Sequence, residues 1–408
     1  MSVRTMHPLA PRRCAAVGRT GLLPFRCLRC ALLLAVTLVA GLCIANSSAC
    51  AADKSPYTPG KCGTAELKFV DGLPMVTAIG TPDEIGQQLG TLLKAPLTSL
   101  LGKKEEIAHG FGFRSAPDLL VKTSRLLTPS FPESQRREMQ SLVQAAGVDF
   151  DTLAFANVVY EVSHFPACSS LAVEPQRSAT GQPIFGRNLD FPTFGFLDKY
   201  SLIEVIRPQG KHAFVSISFP GVVGVFSGMN DAGLCLAQLE VNYSADHAPR
   251  VNLSGTPVAM CFRRLLEECS TIDEAEKLLR GQNRMMMCNL ALCDRTQSAV
   301  LEITPKTVAR RDDDHGLCPC TNHFRTPELA VDTQCRRYDQ LQHGQELDKL
   351  GVSDVARLLN SANQEQFTIQ TMIFEPASFL AHVSFGPAPS SAQPLKTIDL
   401  AALLHPEN

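Results

Sequence analysis

The chain of 408 residues contains no tryptophan, only 5 tyrosines, and charged residues at just 19%. Missing tryptophan excludes nothing by itself, but the other scarcities narrow the field. The formal net charge is -2 and no basic stripe follows the N-terminal region, so nothing in the charge pattern points to a nucleic-acid partner. No internal repeat and no low-complexity tract is present. The apolar run from Ala31 to Ala45 is 15 residues long, short of the roughly 20 that a membrane-spanning helix needs. With 45% hydrophobic residues, the remainder reads as ordinary globular protein, long enough for one large domain or two smaller ones with a substantial core.

The first 51 residues are a different object. Arg12, Arg13, Arg19, Arg26 and Arg29 precede the apolar run, and Ala49-Cys50-Ala51 follows it with the small-x-small pattern of signal peptidase sites. Residues 1–51 therefore read as a signal peptide for export to a periplasm, a lysosome or the medium, with a lipoprotein signal and an uncleaved anchor as rivals. After its removal no stable membrane insertion is expected. Five of the 15 cysteines leave with this segment. Export permits disulfides among the other ten, with Cys318 or Cys320 joined to Cys293 or Cys335 as one expectation, but spacing does not give connectivity. Cys261, Cys269 and Cys288 lie in apolar surroundings and read as core.

Residues 53–65 read as a polar linker, and Glu66–Gly80 as a hairpin turning at Asp71-Gly72. Helical spacing then takes over. Thr81, Pro82 and Glu84 form an N-terminal capping signature, and further helices are expected at 117–127, 133–146 and 151–163. Beyond Cys168 the texture is that of strands, at 202–206, 213–219, 222–227 and 234–239. Helices follow at 256–269 and 271–280, strands at 286–292 and 299–303, a helical stretch at 333–360 broken near Gly351, and a last hairpin at 368–375 and 379–385. This order suits two sheets with helices packed outside them.

The densest chemistry lies at Cys168-Ser169-Ser170 and Gly186-Arg187-Asn188-Leu189-Asp190-Phe191. An arginine 19 residues and an aspartate 22 residues after the cysteine, with Gly181-Gln182-Pro183 between, read as strand, tight turn, strand. Such a hairpin returns Arg187 and Asp190 beside Cys168. Arg187 and Asp190 by themselves read better as a loop ion pair that stabilises the hairpin, and Cys168 alone as a buried thiol; their joint spacing favours a nucleophile with its partners.

Together with Gly228-Met229-Asn230-Asp231-Ala232-Gly233-Leu234 and Thr321-Asn322-His323-Phe324, these segments resemble the N-terminal-nucleophile hydrolases of the choloylglycine hydrolase type, in the branch with penicillin acyltransferase and acid ceramidase-like amidases. The resemblance runs from about Phe155 to the C-terminus. It implies an α+β, four-layer αββα sandwich, with a helical prosegment at 52–167 and a catalytic domain at 168–408. It also implies self-cleavage between Ala167 and Cys168 into two fragments that stay associated, and use of the freed α-amine as general base. An α-amine near pKa 7.7–8.0 can accept a proton from a thiol near roughly 8.5 without large perturbation. By resemblance Asp190 holds that amine, Arg187 favours the thiolate, Asn322 donates to the oxyanion, and an arginine near Cys335-Arg336-Arg337-Tyr338, taken as Arg337, completes the site. Asn242 is a weaker candidate for substrate contact, as are Phe191, Phe194, Phe196 and Phe226 for an acyl pocket. The implied substrate is a small-molecule N-acyl amide; no cofactor or metal is implied, and homo-oligomerisation is left open.

Three rival readings compete. His315, Cys318, Cys320 and His323 match a compact zinc pattern, though the ligands are closely spaced around Pro319. A papain-like peptidase would need His323, His212 or His382 beside a cysteine that opens a helix. A secreted binding protein could keep the fold without activity.

Overall fold

In the computed structural model the described residues are 55–112, 121–122, 124–162 and 167–405. The signal-peptide reading and residues 117–120 and 123 of the helix expected at 117–127 lie outside them. Strands β1 (Gly60–Cys62), β2 (Ala65–Val70) and β3 (Leu73–Gly80) form an antiparallel meander, so the expected linker already contributes an edge strand. Asp71 and Gly72, with φ of 49° and 84°, make the two-residue turn that the strand twist favours. Helix α1 (Pro82–Leu92) starts on a reciprocal cap: the Thr81 hydroxyl accepts from the Glu84 N–H, and the Glu84 carboxylate accepts from the Thr81 N–H. Helices α2 (Lys94–Leu101), α3 (Lys104–Gly110), α4 (Glu133–Ala146) and α5 (Phe150–Val162) lead toward Cys168.

The rest of the chain runs β4 (Cys168–Val173), β5 (Ile184–Asp190), β6 (Leu202–Pro208), β7 (Phe214–Ser218), β8 (Ser227–Asn230), β9 (Cys235–Glu240), α6 (Val258–Glu268), α7 (Ile272–Arg280), β10 (Cys288–Cys293) and β11 (Ser298–Ile303). It continues through β12 (Val308–Asp312), β13 (Leu317–Cys320), α8 (Arg336–Gln342), α9 (Val352–Ser361), β14 (Thr368–Glu375), β15 (Leu380–Phe385), β16 (Lys396–Asp399) and α10 (Ala401–Leu404). Residues 222–226, expected to be extended, form a loop instead. Gly224 lies so close to α6 that an added Cβ would meet Ala259 at 2.7 Å, and the Val225 N–H bonds the Ala259 carbonyl.

One sheet has the order β1-β2-β3-β6-β7-β8-β9-β10-β11-β12 and the other β13-β4-β5-β14-β15-β16. Pairing is antiparallel throughout except between β3 and β6, which joins the strands preceding Cys168 to those following it. Side chains alternate across each strand, so both sheets bury two faces. Leu202, Leu236, Leu290 and Leu301 pack outward against Leu89, Met139, Leu142 and Phe262 of the helices. Ile203, Val215, Ala237 and Ala291 face Ala172, Phe185, Met372 and Val383 across the space between the sheets. Leu171, Val173 and Ile184 pack against Leu341, Val355 and Leu358 on the far side. Helix, sheet, sheet, helix is therefore the layer order, the αββα sandwich that the sequence implied.

Candidate active site

The β4–β5 hairpin sets the site. Cys168 pairs with Leu189 and Ser170 with Arg187. Alternation then sends Cys168, Arg187 and Leu189 toward the space between the sheets, and Gly186 and Asn188 toward the outer helices. A Cβ on Gly186 would meet Val355 at 2.6 Å and Leu359 at 2.9 Å, so the glycine lets α9 approach the sheet. The Asn188 amide donates to the Leu359 carbonyl at 2.7 Å and accepts from Thr371 at 2.9 Å. Two members of the motif thus anchor a helix, which holds their neighbours in place.

The Cys168 side chain is 2% exposed. Arg187 is equally buried and reaches Sγ with Nη2 at 3.3 Å, while its Nη1 donates to the Phe226 carbonyl at 2.6 Å. Burial pushes the Cys168 thiol up and the Asp190 charge adds to it; the Arg187 charge, the backbone N–H of Asp190 and the Arg337 charge oppose this. The Cys168 N–H donates to Asn322 Oδ1 at 2.8 Å, and Arg337 gives Nη2 to the same oxygen at 2.9 Å and Nη1 to the Cys168 carbonyl. Arg336 is exposed, which leaves Arg337 as the arginine brought to the site.

Asn322 has the opposite polarity from the one its motif implies. Both donors face Oδ1, and Nδ2 donates to the Glu240 carbonyl at 2.8 Å, so the surrounding network fixes the amide orientation. Asp190 accepts from the Thr368 hydroxyl at 2.5 Å through Oδ1. Its Oδ2 is buried without a hydrogen bond, 4.0 Å from Arg337 Nη1. Burial raises the Asp190 carboxyl to about 7, against the Thr368 hydrogen bond and the charges of Arg337 and Arg187.

Two concavities adjoin this cluster. An apolar pocket of about 830 Å³, open mouth included, is lined by Leu189 and Phe226, one the register partner of Cys168 and the other the carbonyl that holds Arg187. Phe191 and Phe194 also line it, as do Leu101, Ile107, Ala156 and Val159 from the helices before Cys168. Phe111 meets Phe191 and Phe194 edge-on at 5.5 and 5.3 Å, and Tyr160 meets Phe226 at 5.0 Å. Phe196 is not among its walls; it is buried in the core between the sheets. A second cleft of about 740 Å³ has Asn322, Arg337, His323 and Asn242 among its walls, with Val241, Phe324 and Val331 beside them; the Oδ1 of Asn242 is buried and unpartnered.

The rival constellations do not assemble. Cys318 and Cys320 point into the core between the sheets, whereas the His315 side chain is 82% exposed on a turn. Among the described residues no group of three or more His, Cys, Asp or Glu could hold a metal ion. All ten cysteines described are free thiols, so the disulfide expected at Cys318 or Cys320 is corrected: both thiols are packed as core residues. His212 pairs with Asp231 and His382 with Glu375, and no histidine bonds Cys168 among the described residues.

A cysteine at the head of an inner strand of an αββα sandwich, with polar side chains on its backbone nitrogen and carbonyl, places the chain in the N-terminal-nucleophile hydrolase group. The chain belongs to the acyl-coenzyme A:6-aminopenicillanic acid acyl-transferase family, whose pattern matches residues 177–386. It is 25% identical over 341 residues to an uncharacterised protein of Archaeoglobus fulgidus, covering 68% of this chain and 55% of that one. It is 29% identical over 158 residues to the N-acylethanolamine-hydrolyzing acid amidase of Oryctolagus cuniculus, covering 38% of this chain and 42% of the amidase. The chain thus spans about half the length of these relatives. A solved structure of a conjugated bile acid hydrolase variant from Clostridium perfringens superposes with a TM-score of 0.43 at 16% identity, over 59% of this chain and 94% of that one.

Proposed function

We propose that this protein is an exported cysteine amidase or acyltransferase that activates itself by cutting the Ala167–Cys168 bond and then cleaves the linear amide of an N-acyl substrate through a thioester on Cys168. The observation that carries this reading is the hydrogen bond from the Cys168 nitrogen to Asn322 Oδ1, reinforced by Arg337 on the carbonyl of the same residue. A cysteine acting only through its side chain has no need of polar groups trained on its own backbone.

In the first step the thiol attacks the Ala167 carbonyl. The carbon–nitrogen bond breaks, the Cys168 nitrogen leaves as an amine, and water hydrolyses the resulting thioester. The freed nitrogen then takes the proton from Sγ when the substrate carbonyl is attacked, with nucleophile and base held together on one residue. Arg187 stabilises the thiolate. Asn322 Oδ1 aims the amine, and the unpartnered Oδ2 of Asp190 is a ready acceptor for the ammonium form. The amine returns its proton to the departing amine of the substrate. Water, or another amine, then takes the acyl group from Sγ.

The apolar pocket suits a long acyl chain, since it offers aromatic and aliphatic walls beside Leu189 and Phe226. The second cleft suits the amine half, since Asn242, Arg337 and His323 stand among its walls. Residues before and after the scissile bond both line the apolar pocket, so both fragments are needed after cleavage. Incubation with N-acyl amides of graded chain length, followed by rapid acid quench and intact-mass analysis, tests the reading. An acyl adduct on the fragment that begins at Cys168, with more adduct for longer chains, is expected. Turnover without any adduct on that fragment, or full turnover by Cys168→Ala, would remove Cys168 as the nucleophile.

A further inference from the structure

Asp190 is held from a different strand than its own. Thr368 opens β14, Asp190 closes β5, and both are buried. They are register partners, though not by regular pairing. Continued regularly from Gln370 opposite Leu189, the ladder would set Ile369 opposite Asp190. One extra residue in β14 instead carries Ile369 into the core between the sheets and brings Thr368 to Asp190. A bulge of this kind re-aims a side chain, and bulges are over-represented beside active sites. Here it puts a hydroxyl where an aliphatic side chain would stand.

That hydroxyl is committed in both directions. Oγ1 accepts from the Gln364 N–H at 2.8 Å and donates to Asp190 Oδ1 at 2.5 Å. One residue beyond each partner, the Phe191 N–H donates to the Phe367 carbonyl at 2.7 Å and ties the two strand ends together. A planar carboxylate with one oxygen held has the other fixed as well. Oδ2 is that other oxygen, buried without a hydrogen bond and 4.0 Å from Arg337 Nη1. The charged and titratable groups around Asp190 are Arg187 on β5, Cys168 on β4 and Arg337 on α8. The Thr368 hydrogen bond favours the charged carboxylate against its burial.

We propose that Thr368 is a positioning residue for the amidase reaction, its hydroxyl fixing Asp190 so that Oδ2 is the oxygen presented to the α-ammonium of Cys168. The inference rests on the role proposed above for Asp190. Thr368 acts only through that carboxylate, so its loss changes how the amine is held and not how the acyl chain binds. It also changes the pH at which Asp190 carries its charge. A residue that merely fills space at the head of β14 would alter neither.

The test compares Thr368→Val, which keeps the shape and removes the hydroxyl, with Thr368→Ser, which keeps the hydroxyl. Both are made in the full chain and measured after self-cleavage, with fluorogenic aminocoumarin amides of graded acyl length as substrates. Thr368→Val is expected to lose about tenfold or more in kcat with KM within about twofold, the scale of one hydrogen bond to a charged group. The acid limb of its pH profile is expected to move upward, because without the hydroxyl Asp190 takes its charge only at higher pH. Thr368→Ser is expected to restore both. An unmoved acid limb, a change confined to KM, or no restoration by Thr368→Ser would overturn the inference. If Thr368→Val fails to fold or to cleave, Thr368→Ala is measured against Thr368→Ser by the same readouts. A wild type that turns over without an adduct on Cys168 would remove the proposed function and this inference with it. An adduct-forming wild type beside an unmoved Thr368→Val would remove the inference alone.

Discussion

The backbone nitrogen of Cys168 donates to Asn322 Oδ1 at 2.8 Å, across 154 residues of chain. Asn322 is locked in that orientation by Arg337 on the same oxygen and by the Glu240 carbonyl on its amide. In the cleaved protein this acceptor would aim the amine that moves the proton. Asn322→Ala should therefore lower kcat by about a hundredfold or more, with a much smaller change in KM, the scale of losing one preorganised polar group at a reacting centre. Steady-state kinetics on the cleaved protein read this directly; a change confined to KM would assign Asn322 to substrate binding.

Asp190 and Glu204 are buried carboxyls raised to about 7 and about 8, in both cases chiefly by burial. Their unfolded values lie near roughly 4. Between those limits the folded chain holds more protons than the unfolded one, so the stability they contribute is present at low pH and lost as pH rises through the folded values. Asp190→Asn or Glu204→Gln in uncleaved Cys168→Ala protein should melt above the parent at about pH 8, with the gap closing toward about pH 5. Thermal denaturation at the two pH values checks the sign. A gap that widens on acidification would mean the carboxyls are charged and satisfied in the fold.

Arg263 forms a two-pronged pair with Glu138, at 2.8 and 2.5 Å, and a third contact to Glu267 at 2.7 Å. Glu138 precedes the proposed cleavage point and Arg263 follows it, so the pair bridges the two fragments inside the protein. Removing one member of a buried pair leaves an uncompensated charge and typically costs about 3–5 kcal/mol. Arg263→Ala should lower Tm markedly and loosen the association of the fragments, as gel filtration in mild urea would register. Retention of wild-type Tm would show that the pair contributes little.

Ala156 lies on α5 and lines the apolar pocket together with Phe191 and Phe226, which follow Cys168 in the chain. Ala156→Phe should fill part of the space and raise KM about tenfold for long-chain substrates while sparing short ones, a difference on the order of 1–2 kcal/mol of lost apolar contact. A uniform effect on both classes would place the acyl chain elsewhere.

Much of this was legible in the sequence where the signal is local. The Asp71-Gly72 turn, the Thr81 cap and the Cys168–Asp190 hairpin each depend on residues close together in the chain. What escaped depends on partners far away or on position in a sheet. Strand β13 carries Pro319, which argues against a central strand, but β13 is an edge of its sheet and tolerates a missing donor. Strand β12 ends in Arg310-Arg311-Asp312, too charged to read as sheet. Residues 222–226 have strand-like composition, yet the close approach of Gly224 to α6 bends them into the loop that holds Arg187. The polarity of Asn322 is set by the Glu240 carbonyl, and a backbone group leaves no mark in a motif.

The central claim is that Cys168 becomes a chain terminus. Denaturing electrophoresis of freshly purified and aged protein, with N-terminal sequencing of each band, measures it most directly. The account predicts that the wild type yields a new fragment starting at Cys168 and that Cys168→Ala remains a single chain. A wild type that stays intact yet fully active, or a fragment beginning at any other residue, would contradict it.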